Sequence, residues 1–353
     1  MALDQFPSNA KTRLKHFTDA HGPSGFETEV ADLLHGFLGD WGDFSSDNNG
    51  SVAYSQGDGT HVMIAAHMDE VGFRVQSITS KGFIKFVPLG GWWGHTLLAQ
   101  RVNIKTRSGK VFTGIIGSKP VHFLPDSERS KVQTLDKMYI DIGVDSKEEV
   151  LELGIDLGNP IAPDTLFTPL AKDGRFVAKA FDNRVGCAAV SQISELLPTG
   201  ATNGKVSLAA TVQEEVGLRG AKTLSNLLKP DFAIILEGSP ADDSLGFDSA
   251  ESQASLGKGV QIRMHDPSAI MSPKLVDLAQ STAEKYGIPY QMAVRTSGGT
   301  DAGAFSYANE GIPSIVLGVP ARYIHTHNSI IEINDYLAMV VLASHMAKSL
   351  CNQ

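Results

Sequence analysis

The sequence predicts an α/β protein: a mixed, largely parallel sheet sandwiched by helices, interrupted by an inserted β-rich segment. Three observations carry this expectation. Short apolar runs at residues 62–66, 206–212, 232–236 and 314–317 have the length and composition of buried strands. Segments of helical period lie among them, and strands alternating with helices build a largely parallel sheet. The long helical patterns stop near residue 40 and resume near 183, and most of the stretch between reads as strands with Gly-rich turns.

The first helical pattern follows Ser24 and Glu27, spaced as a capping box, and places Val30, Leu33, Leu34, Phe37 and Leu38 on one face. A second helix is expected near 183–197, with Val190, Ile193 and Leu197 on its apolar side. A third, at 273–286, opens at Ser272-Pro273 and closes at Gly287. In the β-rich stretch, residues 72–78, 83–87, 102–106 and 111–116 read as strands. Residues 146–153 read as one short helix, with Ser146 and Glu149 as its capping box and Gly154 as its stop. The expected division is an α/β domain over 1–70 and 169–353, split by an insertion over 71–168. Insertion at an exposed loop is tolerated because its two ends lie close together.

Composition excludes several functions. The chain has 353 residues, 42% of them hydrophobic and 20% charged, an ordinary balance for a protein with a large core. Its net charge of −9 gives no basic face for nucleic acid. Cys187 and Cys351 are the only cysteines, too few for a disulfide framework or a cysteine zinc site, which points to a reducing, cytoplasmic setting. The opening MALDQFPSNAKTRLKHF lacks the apolar core of a signal peptide, and no apolar run reaches the ~18 residues of a membrane span.

Metal-competent side chains recur at the expected strand ends. His67 and Asp69 follow the first run, and Asp182 lies in KAFDNRVG just before a helix. Glu214 and Glu215 follow the second run, Glu237 the third, and His325 the fourth, in RYIHTH with His327 as its competitor. Ligands in open α/β sheets bind beyond the carboxyl ends of the strands, so these groups would face one crevice. Two imidazoles with three carboxylates suit zinc or cobalt. One carboxylate can bridge two metals ~3.5–4 Å apart, and Asp182 is the candidate. Two adjacent carboxylates resist joint ionisation unless cations offset the repulsion. At a dimetal site one of Glu214 and Glu215 would bind metal while the other takes the proton of a water. The H-x-D spacing lets Asp69 orient His67. Taken singly, each of these residues reads as an ordinary polar group, and it is their joint recurrence at strand ends that points to a metal site. Asp301, in SGGTDAG, reads as a helix N-cap or as a residue supporting the metal ligands from behind, the cap being the simpler reading.

AAHMDEVGF, AFDNRVG, VQEEVGLRGA, GGTDAGA and RYIH, in this order, resemble the tetrahedral and glutamyl aminopeptidases and FrvX-like proteins of metallopeptidase family 42. GPSGFE, GGWW…LLAQRV, GIIGSKPVHFL and IDIGVDSKEEVLELGI extend the resemblance over nearly the whole chain. The resemblance implies an aminopeptidase with two zinc or cobalt ions that acts on short peptides with a free N-terminus. His67, Asp182 and Glu237 would hold one metal and Asp182, Glu215 and His325 the other. Glu214 would be the general base and Asp69 the support of His67. The insert would be a PDZ-like dimerisation domain, with dimers assembling into a dodecamer. Two features depart from the family pattern. Position 237 is most often Asp there, one methylene shorter than Glu, and GGWWGH replaces a loop in which Trp precedes Asp-Pro. A related carboxypeptidase or N-deacylase would need an Arg to read a substrate carboxylate, for which Arg184 and Arg219 are the nearby candidates. A glycosidase needs paired carboxylates but no dimetal site.

Overall fold

The structure, a computed structural model, describes residues 9–248 and 250–352. Four strands form the parallel centre of a nine-stranded sheet: Lys205–Thr211, His61–His67, Phe232–Pro240 and Ser314–Ala321, side by side in that order. These contain the four apolar runs of the sequence, and they are buried nearly throughout, as strands covered on both faces must be. Antiparallel strands flank them. Val52–Gln56 and Asp43–Ser46 extend one side. Val260–Asp266 borders the other, with Ala269–Ile270 and Tyr290–Val294 beside it.

Helices Thr28–Leu38, Phe181–Leu196 and Pro273–Tyr286 occupy the positions read from periodicity. The last closes on Gly287 in the left-handed region (φ 65°), which glycine adopts without a Cβ penalty. The sequence reading omitted Ala10–Asp19, Arg219–Leu228 and Ile333–Cys351. Ile333–Cys351 is buried almost all round, so its apolar residues show no clear stripe. One expectation is corrected. Ser24 and Glu27 do not cap Thr28–Leu38: Glu27 is the residue before the helix, but no side-chain cap bond forms there. Both side chains point instead toward the end of the central sheet. By contrast, Ser146 does cap Lys147–Glu152, accepting from the Glu149 amide.

The β-rich stretch closes into a six-stranded barrel running from Gly72 to Pro163. Gly72–Ile78, Ile84–Leu89, Arg101–Lys105 and Val111–Gly117 were visible as strands, whereas Tyr139–Asp141 and Pro160–Pro163 were not. The last two are short, and the prolines bounding the second disguise it. Both are needed for closure, which leaves no open sheet edge. Phe73, Ile84, Val102, Ile104 and Ile140 fill a core separate from that of the main sheet. Among the described residues, no helix is long and apolar enough to cross a membrane. Residues 1–8, part of the stretch on which the leader-peptide reading rests, lie outside the described residues.

Candidate metal centre

Strand register gathers the predicted side chains. Thr211 pairs with His67, so Glu214 and Glu215 lie just past the same sheet end. Ile235 pairs with Ala65, which brings Glu237 level with His67 two residues on. A second, three-stranded sheet delivers the rest. Arg175–Ala178 pairs antiparallel with Ser329–Glu332, Ala178 facing Ser329, so the turn holding Asp182 meets the loop holding His325. Ala180 within that turn is left-handed, and the Asp182–Asn183 peptide bond is cis.

The resulting cleft has a volume of about 560 Å³, in the range of small-ligand sites. His67, Asp182, Glu214, Glu215, Glu237 and His325 all line it. Asp182 stands between the two rings. Its Oδ1 is 3.1 Å from His67 Nε2 and its Oδ2 is 3.2 Å from His325 Nε2. His67 Nε2 also lies 3.3 Å from Glu237 Oε1 and 3.9 Å from Glu214 Oε2. His325 Nε2 lies 3.3 Å from Glu215 Oε2. His327 stays apart: it is buried against Trp92, and neither ring nitrogen has a hydrogen-bond partner.

Electrostatics mark the cluster as overloaded with acceptors. Burial works against a charged His67, but Glu237, Glu214, Asp182 and Asp69 outweigh it and hold the ring well above its usual pKa. Burial likewise opposes charge on His325, yet Asp182 and Glu215 bring it to about 11. Burial would raise Asp182, but its bonds to His325 and His67 hold it well below the usual carboxylate range. Burial, first among the causes, pushes Glu214 and Glu215 upward and Glu237 to about 7. Glu215 Oε1 and Glu237 Oε2 are buried without a hydrogen-bond partner.

Such a set suits cations. The ligating atoms of His67, Asp182 and Glu237 lie within 4.8 Å of one another, and so do those of Asp182, Glu215 and His325. Nitrogen and carboxylate donors of this kind match a borderline divalent metal. Bound cations would replace the protons now shared between the rings and the carboxylates, and would give the two orphaned oxygens a partner. The residues therefore fit a bound divalent metal.

The outer layer adds three features to the ligand set. Asp69 meets His67 chiefly through its main chain: His67 Nδ1 is 3.0 Å from the Asp69 carbonyl oxygen and 3.4 Å from Oδ1. The Asp69 carboxylate also accepts from the amides of Glu214 (2.9 Å) and Glu215 (3.1 Å). Asp301 is not the cap of its helix. It is the first residue of Asp301–Ser306, buried, with Oδ2 accepting from Thr211 Oγ1 at 2.5 Å, and burial raises it to about 6. Third, His325 Nδ1 lies 3.1 Å from the carbonyl oxygen of Gly91, in the loop after barrel strand Ile84–Leu89. The inserted segment thus reaches the site, and the sequence signal for it was the Gly90-Gly91 pair. Gly90 sits at φ 82°, where a Cβ would meet Val71 Cγ1 at 2.7 Å and Glu215 Cβ at 3.3 Å.

Comparison with known proteins agrees with this geometry. The family model described as M42 glutamyl aminopeptidase matches residues 49–342. The chain is 37% identical over 333 residues to FrvX of Escherichia coli, covering 93% of this chain and 92% of that protein. It is 35% identical to the glutamyl aminopeptidase of Lactococcus lactis, covering 92% of each. A solved TET aminopeptidase from a marine-sediment Thaumarchaeota archaeon superposes with a TM-score of 0.92 at 35% identity, over 97% of both chains. The Pyrococcus horikoshii TET1 peptidase, described as assembling into a tetrahedron or a large octahedral shell, gives 0.86 at 32% identity over 96% of this chain and 99% of that one. With the family model spanning most of the sequence and relatives above 30% identity over nearly all of it, the chain belongs to the M42 glutamyl aminopeptidase family and is a peptidase.

Proposed function

We propose that the chain is a dinuclear metal-dependent aminopeptidase in which Glu214 is the general base. The observation that carries this reading is Asp182, whose two oxygens face two separate imidazoles, each ring backed by one further carboxylate. His67, Asp182 and Glu237 would hold one ion, and Asp182, Glu215 and His325 the other. When bound, two zinc or cobalt ions supply Lewis acidity, which acidifies a water and polarises the scissile carbonyl. Glu214 also comes within ligating reach of His67 and Glu215, but it approaches His67 no closer than 3.9 Å and stands outside the two sets that share Asp182, which leaves it for the proton. It accepts a proton as the water oxygen bonds to the carbonyl carbon. It returns that proton to the departing amine nitrogen as the C–N bond breaks. Burial raises its affinity for the proton it must carry. The free α-amine of the peptide would sit beside the metal set and its carboxylates, so residues would leave one at a time from the N-terminus.

The carboxypeptidase or N-deacylase reading finds less support. Arg184 is fully buried, bonded to the main-chain oxygens of Met68, Phe17 and Gly22 and to Glu70. Arg219 bonds to Gln213 at an exposed position. Arg263 and Arg295 do line the cleft, but Asp266 and Asp242 already engage them. A panel of aminoacyl-anilides and N-acyl amino acids, run with zinc and with cobalt, tests the choice. Turnover of the anilides, abolished by a chelator and restored by either metal, is expected. Chelator-resistant turnover, or preference for the N-acyl compounds, rejects the proposal. The two cysteines fit a cytoplasmic setting, and by analogy with a solved Pyrococcus TET1 peptidase described as a dodecamer the protein would assemble, with dimers forming through its barrel, into a dodecamer. Trp93, Ile115, Val121 and Phe123 give the barrel an exposed apolar surface consistent with such contacts.

A further inference from the structure

We infer that Ser24, Glu27 and Asp69 form a clamp that positions the backbone of the Glu214–Glu215 pair, with Ser24 and Glu27 acting as positioning residues for the reaction proposed above. Three consecutive amides carry the inference. The Gln213 N–H donates to Glu27 Oε1 (3.1 Å), the Glu214 N–H to Asp69 Oδ1 (2.9 Å) and the Glu215 N–H to Asp69 Oδ2 (3.1 Å). In an extended strand successive N–H groups point to opposite edges, so three in a row cannot reach one side. Gln213 breaks the alternation by adopting φ 55°, in the left-handed region. Successive amides turned inward this way make a concave anion-binding nest. Here the anions come from the chain itself, from two buried carboxylates, Glu27 just before helix Thr28–Leu38 and Asp69 just past strand His61–His67.

The clamp is anchored from the far side. Ser24 Oγ donates to Asp69 Oδ2 at 2.6 Å, and Glu27 Oε1 also accepts from the Gly25 amide at 2.8 Å. The segment just before Ser24 is tied to the strand end by Gly22 and Glu70, whose main chains bond at 3.1 Å, and by Lys179, which donates to both Glu70 oxygens. A purely local role for Glu27 is at odds with the geometry. Its side chain makes no capping bond to the helix it precedes, and it spans 186 residues of sequence to reach Gln213.

Beyond the clamp the chain turns sharply: Gly217 and Leu218 both donate to the Glu214 carbonyl oxygen at 2.9 Å. The Glu214 backbone is thus fixed on both sides, by carboxylates at its amide and by amides at its carbonyl. Loss of Glu27 would release the Gln213 end of this hold, next in the chain to Glu214, while the Asp69 bonds to the Glu214 and Glu215 amides persist. The expected defect therefore falls on the base more than on the metal ligand.

The test compares Glu27→Ala, Glu27→Gln and Ser24→Ala in the full chain. Glu27→Ala is expected to lower kcat roughly 10–100-fold, the scale of a misplaced catalytic group, with KM and bound metal per subunit close to wild type. Glu27→Gln keeps an acceptor oxygen and is expected to restore most of kcat. Ser24→Ala, the milder variant, should move kcat in the same direction by a smaller factor and covers the case in which Glu27→Ala does not fold. A second readout needs neither metal nor turnover. Amide exchange of a peptide spanning Gln213–Glu215 in the metal-free protein should speed up in Glu27→Ala and Ser24→Ala and stay slow in Glu27→Gln. Unchanged kcat and exchange in Glu27→Ala and Ser24→Ala, or Glu27→Gln as impaired as Glu27→Ala, overturns the clamp. A wild-type protein without aminopeptidase turnover would refute the proposed function, and the exchange measurement would still decide the clamp.

Discussion

Glu214 and Glu215 are adjacent in sequence but different in surroundings. Glu215 Oε2 faces His325 at 3.3 Å, while Glu214 Oε2 approaches His67 no closer than 3.9 Å. That difference predicts separable defects. Glu214→Gln should retain both metals and lose turnover by a factor of ~10²–10⁴, the usual contribution of a positioned base. Glu215→Gln should lose one metal per subunit. Metal analysis beside kcat checks both, and equal metal loss in the two variants would contradict the division of roles. Glu237 is the other residue with a particular geometry. It lies within its strand, not after it, and its Oε1 bonds both His67 and the Gly238 amide. The longer side chain thus folds back toward its own backbone and still reaches the His67 ring.

At the scale of elements, the site is made where strands end and chains turn. Left-handed residues at Ala180, Gln213, Leu218 and His325 mark these turns. None of them is glycine, so tertiary contacts must hold each against its local preference. The Gly90 loop shows the reverse case, in which glycine is required. Gly90→Ala would place a methyl 2.7 Å from Val71 Cγ1 at a positive φ, and should destabilise the protein by about 1–3 kcal/mol. It should also weaken metal binding at the His325 set, because the same loop holds His325 through Gly91. Gly91→Ala is the control: its Cβ would come no nearer than 3.4 Å to the His325 ring. Urea unfolding and zinc titration of both variants measure the effect. Equal stability for Gly90→Ala and wild type would contradict it.

For the molecule as a whole, burial of imidazole makes acid a threat. His327 is buried with both ring nitrogens unpartnered, and burial lowers its pKa from the usual 6.5 to about 4. A lowered histidine binds its proton more readily when unfolded. Its contribution to stability is therefore intact above pH 6.5 and is lost as pH falls toward 4. His327→Phe removes the titration and keeps an aromatic ring beside Trp92. The stability of wild type relative to this variant should fall by up to ~1.4 kcal/mol per pH unit across that window. Chemical denaturation at several pH values measures it, and a pH-independent difference would contradict the assignment.

The sequence by itself determined the central strands and the inventory of candidate ligands, because a buried parallel strand must be a continuous apolar run and its polar end stands out against it. It also showed, through Gly-rich turns and lost helical period, that a β-rich segment interrupts the α/β pattern. Pairing across long stretches of chain was decided only by the tertiary structure. Ser24 and Glu27 have the spacing of a capping box, yet Ser24 donates to Asp69, and Glu27 accepts from the Gln213 amide, since a buried N–H at a strand end needs an acceptor more than an exposed helix start does. Asp69 faces His67, as its spacing suggests, and its carboxylate also holds two amides of a distant segment. Gly91, from within the inserted barrel, supplies the partner of His325. These three are contacts between segments distant in sequence, and no local pattern encodes which distant group a hydrogen bond will find.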